Sequence, residues 1–154
     1  MTAMVPPSRK SCYNFRVVEI TKVLDGDTID VIIDLGFDLY KKERVRVAGV
    51  DTPEKRTTVA EEKELGIDAT NWLNKQLEDA IAGEEDLVIR TELEGGFGKY
   101  GRLLGWLYLG IDAEKSLNEL MIEEGYAWAY DGGTKQKNFE ELKQIRRSRG
   151  TLVE

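Results

Sequence analysis

The stretch Thr28–Asp34, TIDVIID, places Ile29, Val31 and Ile33 on one side and Thr28, Asp30 and Asp34 on the other. A side-chain period of two fits an extended strand with one buried face. Just before it, Asp25–Gly26–Asp27 is a turn signal, and before that Phe15–Leu24, FRVVEITKVL, is rich in β-branched residues. The two runs together predict a hairpin. LGFDLYKKE, at 35–43, reads as a loop or an irregular hairpin, and RVRVAGV, at 44–50, as a third strand. EDLVIRTEL and GRLLGWLYLG read as two more strands joined by a Gly-rich loop.

Helical signals come between and after the strands. IDATNWLNKQLEDAIAG sets Ala69, Trp72, Leu73, Leu77, Ala80 and Ile81 on one stripe, with Gly83 as a stop. SLNELMIEEG opens with Ser116 and Glu119 at capping-box spacing and closes at Gly125. NFEELKQIRRSRG is a last amphipathic helix with Asn138 as its cap. Residues Lys55 to Leu65 are polar and aperiodic, and read as a mobile loop. The expectation is an α+β chain: a five-stranded OB-type Greek-key β-barrel with about three α-helices. Residues 1–14 read as a flexible N-terminal segment and 15–154 as one domain.

Composition narrows the chemistry. The 154 residues carry 22 basic and 29 acidic side chains, a net charge of −7, so bulk electrostatics do not recommend a polyanionic partner. Affinity for nucleic acid would have to come from a local basic patch or from bound cations. The single cysteine, Cys12, allows no intrachain disulfide and suits a reducing compartment; Cys12 itself reads as a small apolar residue. No signal-peptide core and no apolar run of about 18 residues is present, so the expectation is a soluble, cytoplasmic monomer. The chain has no histidine, which removes imidazole metal sites, His-based triads and His general bases together.

Against that background VDTPEKR, at 50–56, is unusual: Pro53 stops a strand, and two carboxylates, Asp51 and Glu54, stand at its mouth. Asp27 begins the second strand and Asp51 ends the third, so neighbouring strands would put both acids at one end of the barrel. Like charges so placed repel unless a cation lies between them. Without nitrogen or sulfur ligands the site would take oxygen ligands only, favouring Ca²⁺, Mg²⁺ or Mn²⁺ over Zn²⁺. Taken singly, Asp25, Asp27 and Asp51 also fit as plain turn residues. Arg46 alternates with Val45 and Val47 and so leaves the core, and Gly49 offers a kink that would bring Arg46 and Asp51 together. Arg102 starts a strand after the Gly-rich loop. Carboxylates for a metal and two planar forks for phosphate oxygens make a phosphodiester site.

DGDT at Asp25–Thr28, VRVAGVDTPE at Val45–Glu54 and KYGR at Lys99–Arg102 together resemble the three signatures of the staphylococcal nuclease (thermonuclease) family, in order and approximate spacing. The resemblance runs from about Phe15 to the last helix. It implies a Ca²⁺-dependent phosphodiesterase on an OB barrel, cutting DNA and RNA with little sequence preference and leaving 3′-phosphate ends. It implies Asp27, Asp51 and the carbonyl of Thr52 as metal ligands, and Arg46 and Arg102 on the scissile phosphate. It further implies Glu54 as general base or water positioner, Lys99 and Tyr100 near the substrate's terminal phosphate, and Asp25 behind the ligands.

Two departures stand out. The familiar family member is basic and this chain is acidic, with Glu61, Glu62 and Glu64 in the loop after Glu54. That argues against tight duplex binding and for single-stranded or locally open DNA or RNA. Tyr126, Trp128 and Tyr130 fit base stacking and barrel packing equally, and Lys143, Arg146, Arg147 and Arg149 read as a solvated helix face. The competing classes are a non-catalytic nucleic-acid-binding OB module, which would tolerate losses among the site residues, and a calcium-dependent structural protein, which leaves Arg46 and Arg102 without a purpose.

Overall fold

The computed structural model describes residues 5–8, 11–83, 85–92, 102–135 and 137–153. Five strands close a barrel: β1 (Cys12–Asp25), β2 (Thr28–Gly36), β3 (Leu39–Val47), β5 (Leu87–Glu92) and β6 (Leu103–Leu109), in the order β1-β2-β3-β6-β5. Neighbours are antiparallel except β3 and β6, which run parallel with Arg46 opposite Leu104. Two short strands, β4 (Val50–Asp51) and β7 (Trp128–Ala129), pair outside the barrel. Three helices complete the α+β fold: α1 (Ala60–Ala82), α2 (Leu117–Glu123) and α3 (Phe139–Arg149).

The alternation in β2 does what its period requires: Ile29, Val31 and Ile33 are buried in the barrel with Val45, Val47, Ile89 and Leu107. From α1 come Ala69, Leu73 and Leu77, and from α2 Leu117 and Met121. Burying each large aliphatic side chain contributes about 1.5–3 kcal/mol, so this shared core fixes how the helices sit on the barrel.

Four local expectations change. β1 starts at Cys12, and the third strand begins at Leu39, so of the two readings of LGFDLYKKE the irregular hairpin holds, with a register shift between Asp34 and Gly36. The hairpin between β2 and β3 turns through Phe37 and Asp38, both at positive φ, which is why the turn was not legible from glycine placement alone. The expected loop Lys55–Leu65 is helical from Ala60 onward. The expected third strand 44–50 breaks at Ala48–Gly49, with Gly49 at φ 76°, and Asp51 belongs to β4 rather than to the barrel.

That break is pinned by a residue the sequence did not single out. Asn118, buried in the first turn of α2, donates to the carbonyls of Ala48 (2.8 Å) and Gly105 (3.0 Å) and accepts from the amide of Leu107 (3.0 Å). Tyr130 N donates to Gly49 O at 2.8 Å, joining the exit of β3 to the end of β7. The caps at Ser116 and Asn138 form as expected, each accepting from the amide three residues on. Among the described residues, no helix is long and apolar enough to cross a membrane.

Candidate active site

The DGD turn and the exit of β3 meet at one end of the barrel. Val47 N donates to Asp27 O at 2.8 Å, and Thr28 pairs with Arg46 across the β2–β3 ladder. The Asp27 carboxylate is well supplied: Oδ1 accepts from Thr28 Oγ1 (3.0 Å), and Oδ2 faces Thr52 Oγ1 (3.2 Å), Thr52 N (3.4 Å) and Arg46 Nη2 (3.4 Å). Its side chain is 13% exposed, more enclosed than a turn acid. Burial works against its charge, but Arg46 and these donors hold its carboxyl below the usual carboxylate range.

Asp25 sits behind it, with Oδ1 accepting from Asp27 N at 3.1 Å. Burial, and then its hydrogen bond to the Asp27 carboxylate, push Asp25 up to about 7. Of two acids so close, one keeps its proton and the other its charge.

Asp51 is different. It is 2% exposed, and among the described residues neither carboxylate oxygen has a hydrogen-bond partner. Lys135 Nζ lies 3.2 Å from Oδ1, an ion pair without the alignment of a hydrogen bond. Burial raises the Asp51 carboxyl, with Lys135 opposing and Asp27 adding to the rise. Next to Asp51 a cavity of about 400 Å³ is lined by Trp128, Tyr130 and Thr134. Trp128 is held there by its indole N–H, which donates to Asn138 O at 3.1 Å.

Arg46 is 12% exposed and is shaped by its own strand. Nη1 donates to Val47 O and Nη2 to Val50 O, each at 2.8 Å, so the guanidinium braces the kink at Gly49 while facing Asp27. These contacts engage only part of its five-donor fork. Arg102, half-buried, comes two residues before Leu104, the partner of Arg46, so the parallel pairing carries both arginines to one region. Glu54 is exposed on the turn after buried Thr52 and Pro53. Lys99 and Tyr100 lie outside the described residues. The structure thus brings Asp27, Asp51, Thr52, Arg46 and Glu54 to one end of the barrel, with Arg102 immediately before β6.

The structure divides the aromatic side chains between their two readings and moves several charged ones. Tyr126 is buried, stacked on Trp72 with ring centroids 5.3 Å apart, while Trp128 and Tyr130 line the cavity. The basic cluster of α3 is not a uniform solvated face: Arg146 is 3% exposed, and Lys143 pairs with Glu61 at 2.9 Å. Glu62 is buried rather than displayed in a loop, and Lys135 was not singled out at all. Burial of a charged residue has no signature in a single sequence. Only a lysine-bearing loop seven residues beyond Trp128 hinted at Lys135.

The donor set fits a hard cation. Asp51 offers two buried carboxylate oxygens without hydrogen bonds among the described residues, one of them at ion-pair distance from Lys135, and Asp27 lies within its electrostatic reach. No cluster of three or more Asp, Glu, Cys or His suited to a metal occurs among the described residues, so remaining ligands would be the Thr52 carbonyl, water or substrate oxygens.

A five-stranded barrel with paired acids and arginines at one end defines a class of small OB-type domains with a polar mouth. Sequence comparison places the chain within that class. The family described as Staphylococcal nuclease homologue matches residues 44–150, which takes in Arg46, Asp51, Thr52, Glu54 and Arg102 but begins after Asp27. The chain is 28% identical over 144 residues to Protein ParB of Escherichia coli, covering 88% of this chain and 69% of that protein. It is 30% identical over 140 residues to micrococcal nuclease of Shigella flexneri, covering 85% and 70%. It is 34% identical over 111 residues to a thermonuclease of Staphylococcus intermedius, covering 71% and 57%. The chain belongs to the staphylococcal nuclease homologue family.

Proposed function

We propose that this protein is a Ca²⁺-dependent nuclease that hydrolyses phosphodiester bonds of DNA or RNA with little sequence specificity and leaves 3′-phosphate ends. The observation that carries this reading is the Asp51 carboxylate, buried with no hydrogen bond to either oxygen among the described residues and only Lys135 at ion-pair distance, beside an Asp27 that faces four donors. A buried carboxylate short of hydrogen bonds costs stability, and an oxygen-loving cation is a partner that fits it.

Asp27 and Asp51 would hold the cation through carboxylate oxygens and Thr52 through its carbonyl. Bound there, Ca²⁺ supplies positive charge to the phosphate and orients water; Mg²⁺ or Mn²⁺ fits the same donors less selectively. Glu54 takes the proton of the attacking water or holds that water in line. Arg46 and Arg102 donate to the non-bridging oxygens as charge grows in the transition state. The cavity beside Asp51 is lined by Trp128 and Tyr130 together with Asp131 and Glu141, and a base stacked on either ring there would require single-stranded or locally open substrate. Lys99 and Tyr100 are assigned to the terminal phosphate on their sequence motif alone.

Incubation with labelled DNA and RNA, in Ca²⁺ or in excess chelator, tests this. Degradation is expected in Ca²⁺ and none in chelator, and full activity in chelator would overturn the metal assignment. Glu54→Gln is expected to slow cleavage about 10²-fold or more with substrate binding retained; cleavage near the wild-type rate across pH would reduce Glu54 to a loop acid.

A further inference from the structure

At Gly66, α1 packs against backbone rather than against side chains. A Cβ on Gly66 would lie 2.6 Å from Pro53 O and 2.7 Å from Glu54 C and from Lys55 N. Those distances leave no room for any side chain, and the obstacle is main chain, which cannot swing aside. One turn earlier on the same helix, Glu62 is 6% exposed, and its Oε2 accepts from Glu54 N at 3.2 Å and from Lys137 Nζ at 2.9 Å. The stripe continues to Ala69, whose Cβ would be 3.0 Å from a Cβ on Gly26, between Asp25 and Asp27.

The segment from Thr52 to Val59 is neither helix nor strand. Thr52 N, the first amide after β4, faces Asp27 Oδ2 at 3.4 Å, and Pro53 has no N–H to give, so the amide of Glu54 is the next donor that can anchor the turn. It is anchored to Glu62, and the turn lies directly on Gly66.

We infer that Glu62 and Gly66 are positioning residues for Glu54: the acid hangs the turn from α1 by its amide, and the glycine lets the turn settle to one depth. This rests on the reading of Glu54 as base or water positioner. Lys137 holds the Glu62 carboxylate in its charged form, which strengthens the bond to the amide. A base that must meet one water in line tolerates little displacement, since a 1 Å error costs on the order of 10²-fold in rate.

Gly66→Ala, Glu62→Leu and Glu62→Gln, each alone and combined with Glu54→Gln, separate this from simple packing. The measurements are kcat and KM on single-stranded DNA at saturating Ca²⁺, well below Tm. In the wild-type background Gly66→Ala and Glu62→Leu are expected to lower kcat by about tenfold or more with KM unchanged. Glu62→Gln keeps an acceptor oxygen and is expected to lose less than Glu62→Leu. In the Glu54→Gln background none of them is expected to cost more, because the group they place is already disabled. Unchanged kcat in Glu62→Leu, or an equal loss with Glu54 replaced, would overturn the inference; the second result would leave the role of Glu54 standing. Glu54→Gln cleaving at the wild-type rate would overturn both. Should Gly66→Ala fail to fold, the Glu62 pair decides.

Discussion

Asp51 and Arg146 are equally buried charges, 2% and 3% exposed, and the protein treats them in opposite ways. Arg146 is satisfied on every side. Nη1 donates to Asp68 Oδ2 at 2.7 Å, Nη2 to Thr151 O at 2.6 Å, and the guanidinium lies 4.5 Å from the centre of the Tyr126 ring. It ties α3 and the C-terminal segment to α1. Asp51 has a single lysine at ion-pair distance and no hydrogen bond among the described residues. A buried charge that serves the fold is paid for in full by its neighbours, whereas one left short keeps its capacity for something that arrives later.

The contrast predicts that activity and stability separate between the two regions, and the largest effect is on activity. Arg46→Lys and Arg102→Lys are each expected to lower kcat by about 10²-fold, or about 3 kcal/mol, because lysine keeps the charge and loses the planar fork. Wild-type kcat in either variant would remove that arginine from the proposed chemistry. Next, Arg146→Met is expected to destabilise the fold by about 2–3 kcal/mol, limited because Asp68 can turn to solvent, and to leave kcat unchanged well below Tm. Chemical denaturation measures the first and steady-state kinetics the second; loss of kcat in a folded variant would erase the distinction.

Smaller still is a stability effect: Asp51→Asn is expected to raise stability in chelator by about 1 kcal/mol, since it removes a buried charge that lacks hydrogen bonds. Adding Ca²⁺ should raise the Tm of the wild type and not of Asp51→Asn, by mass action on the folded state. A destabilised Asp51→Asn would mean that the pairing with Lys135 already satisfies the acid. The smallest effect is on pH dependence. Burial raises the Glu62 carboxyl, but Lys137 and the amide of Glu54 hold it below its ordinary value of 4.5. A depressed acid contributes stability above its unfolded value and loses it as pH falls through the folded one. The stability gap between wild type and Glu62→Gln should therefore narrow on acidification below about 4.5. A gap that is constant or widens there would show that Glu62 is not held charged in the fold.

Much was determined by the sequence alone, wherever the physics is local. The alternation of Ile29, Val31 and Ile33 can bury one face only as a strand. Ser116, Asn138 and the glycine after Arg149 sit where helix ends leave backbone groups unpaired, and Gly150 takes the left-handed conformation at φ 71°. Three short motifs were enough to resemble the family to which the chain belongs, and they name the residues gathered at one end of the barrel. Tertiary structure decided what depends on distant partners. α1 begins at Ala60 without a side-chain cap hydrogen bond at Val59, and Lys137 and Lys143, far along the chain, pair with Glu62 and Glu61 in its first turn. β4 exists only because β7 meets it, and Asp51 is buried only because that pairing pulls it from the barrel edge. Glu62 and Arg146, two charges with identical claims to solvent as far as sequence is concerned, are buried because each finds opposite charge and hydrogen-bond partners across more than seventy residues. A residue's propensity is written at its own position, but the cost of burying its charge is set by whatever the fold brings to meet it.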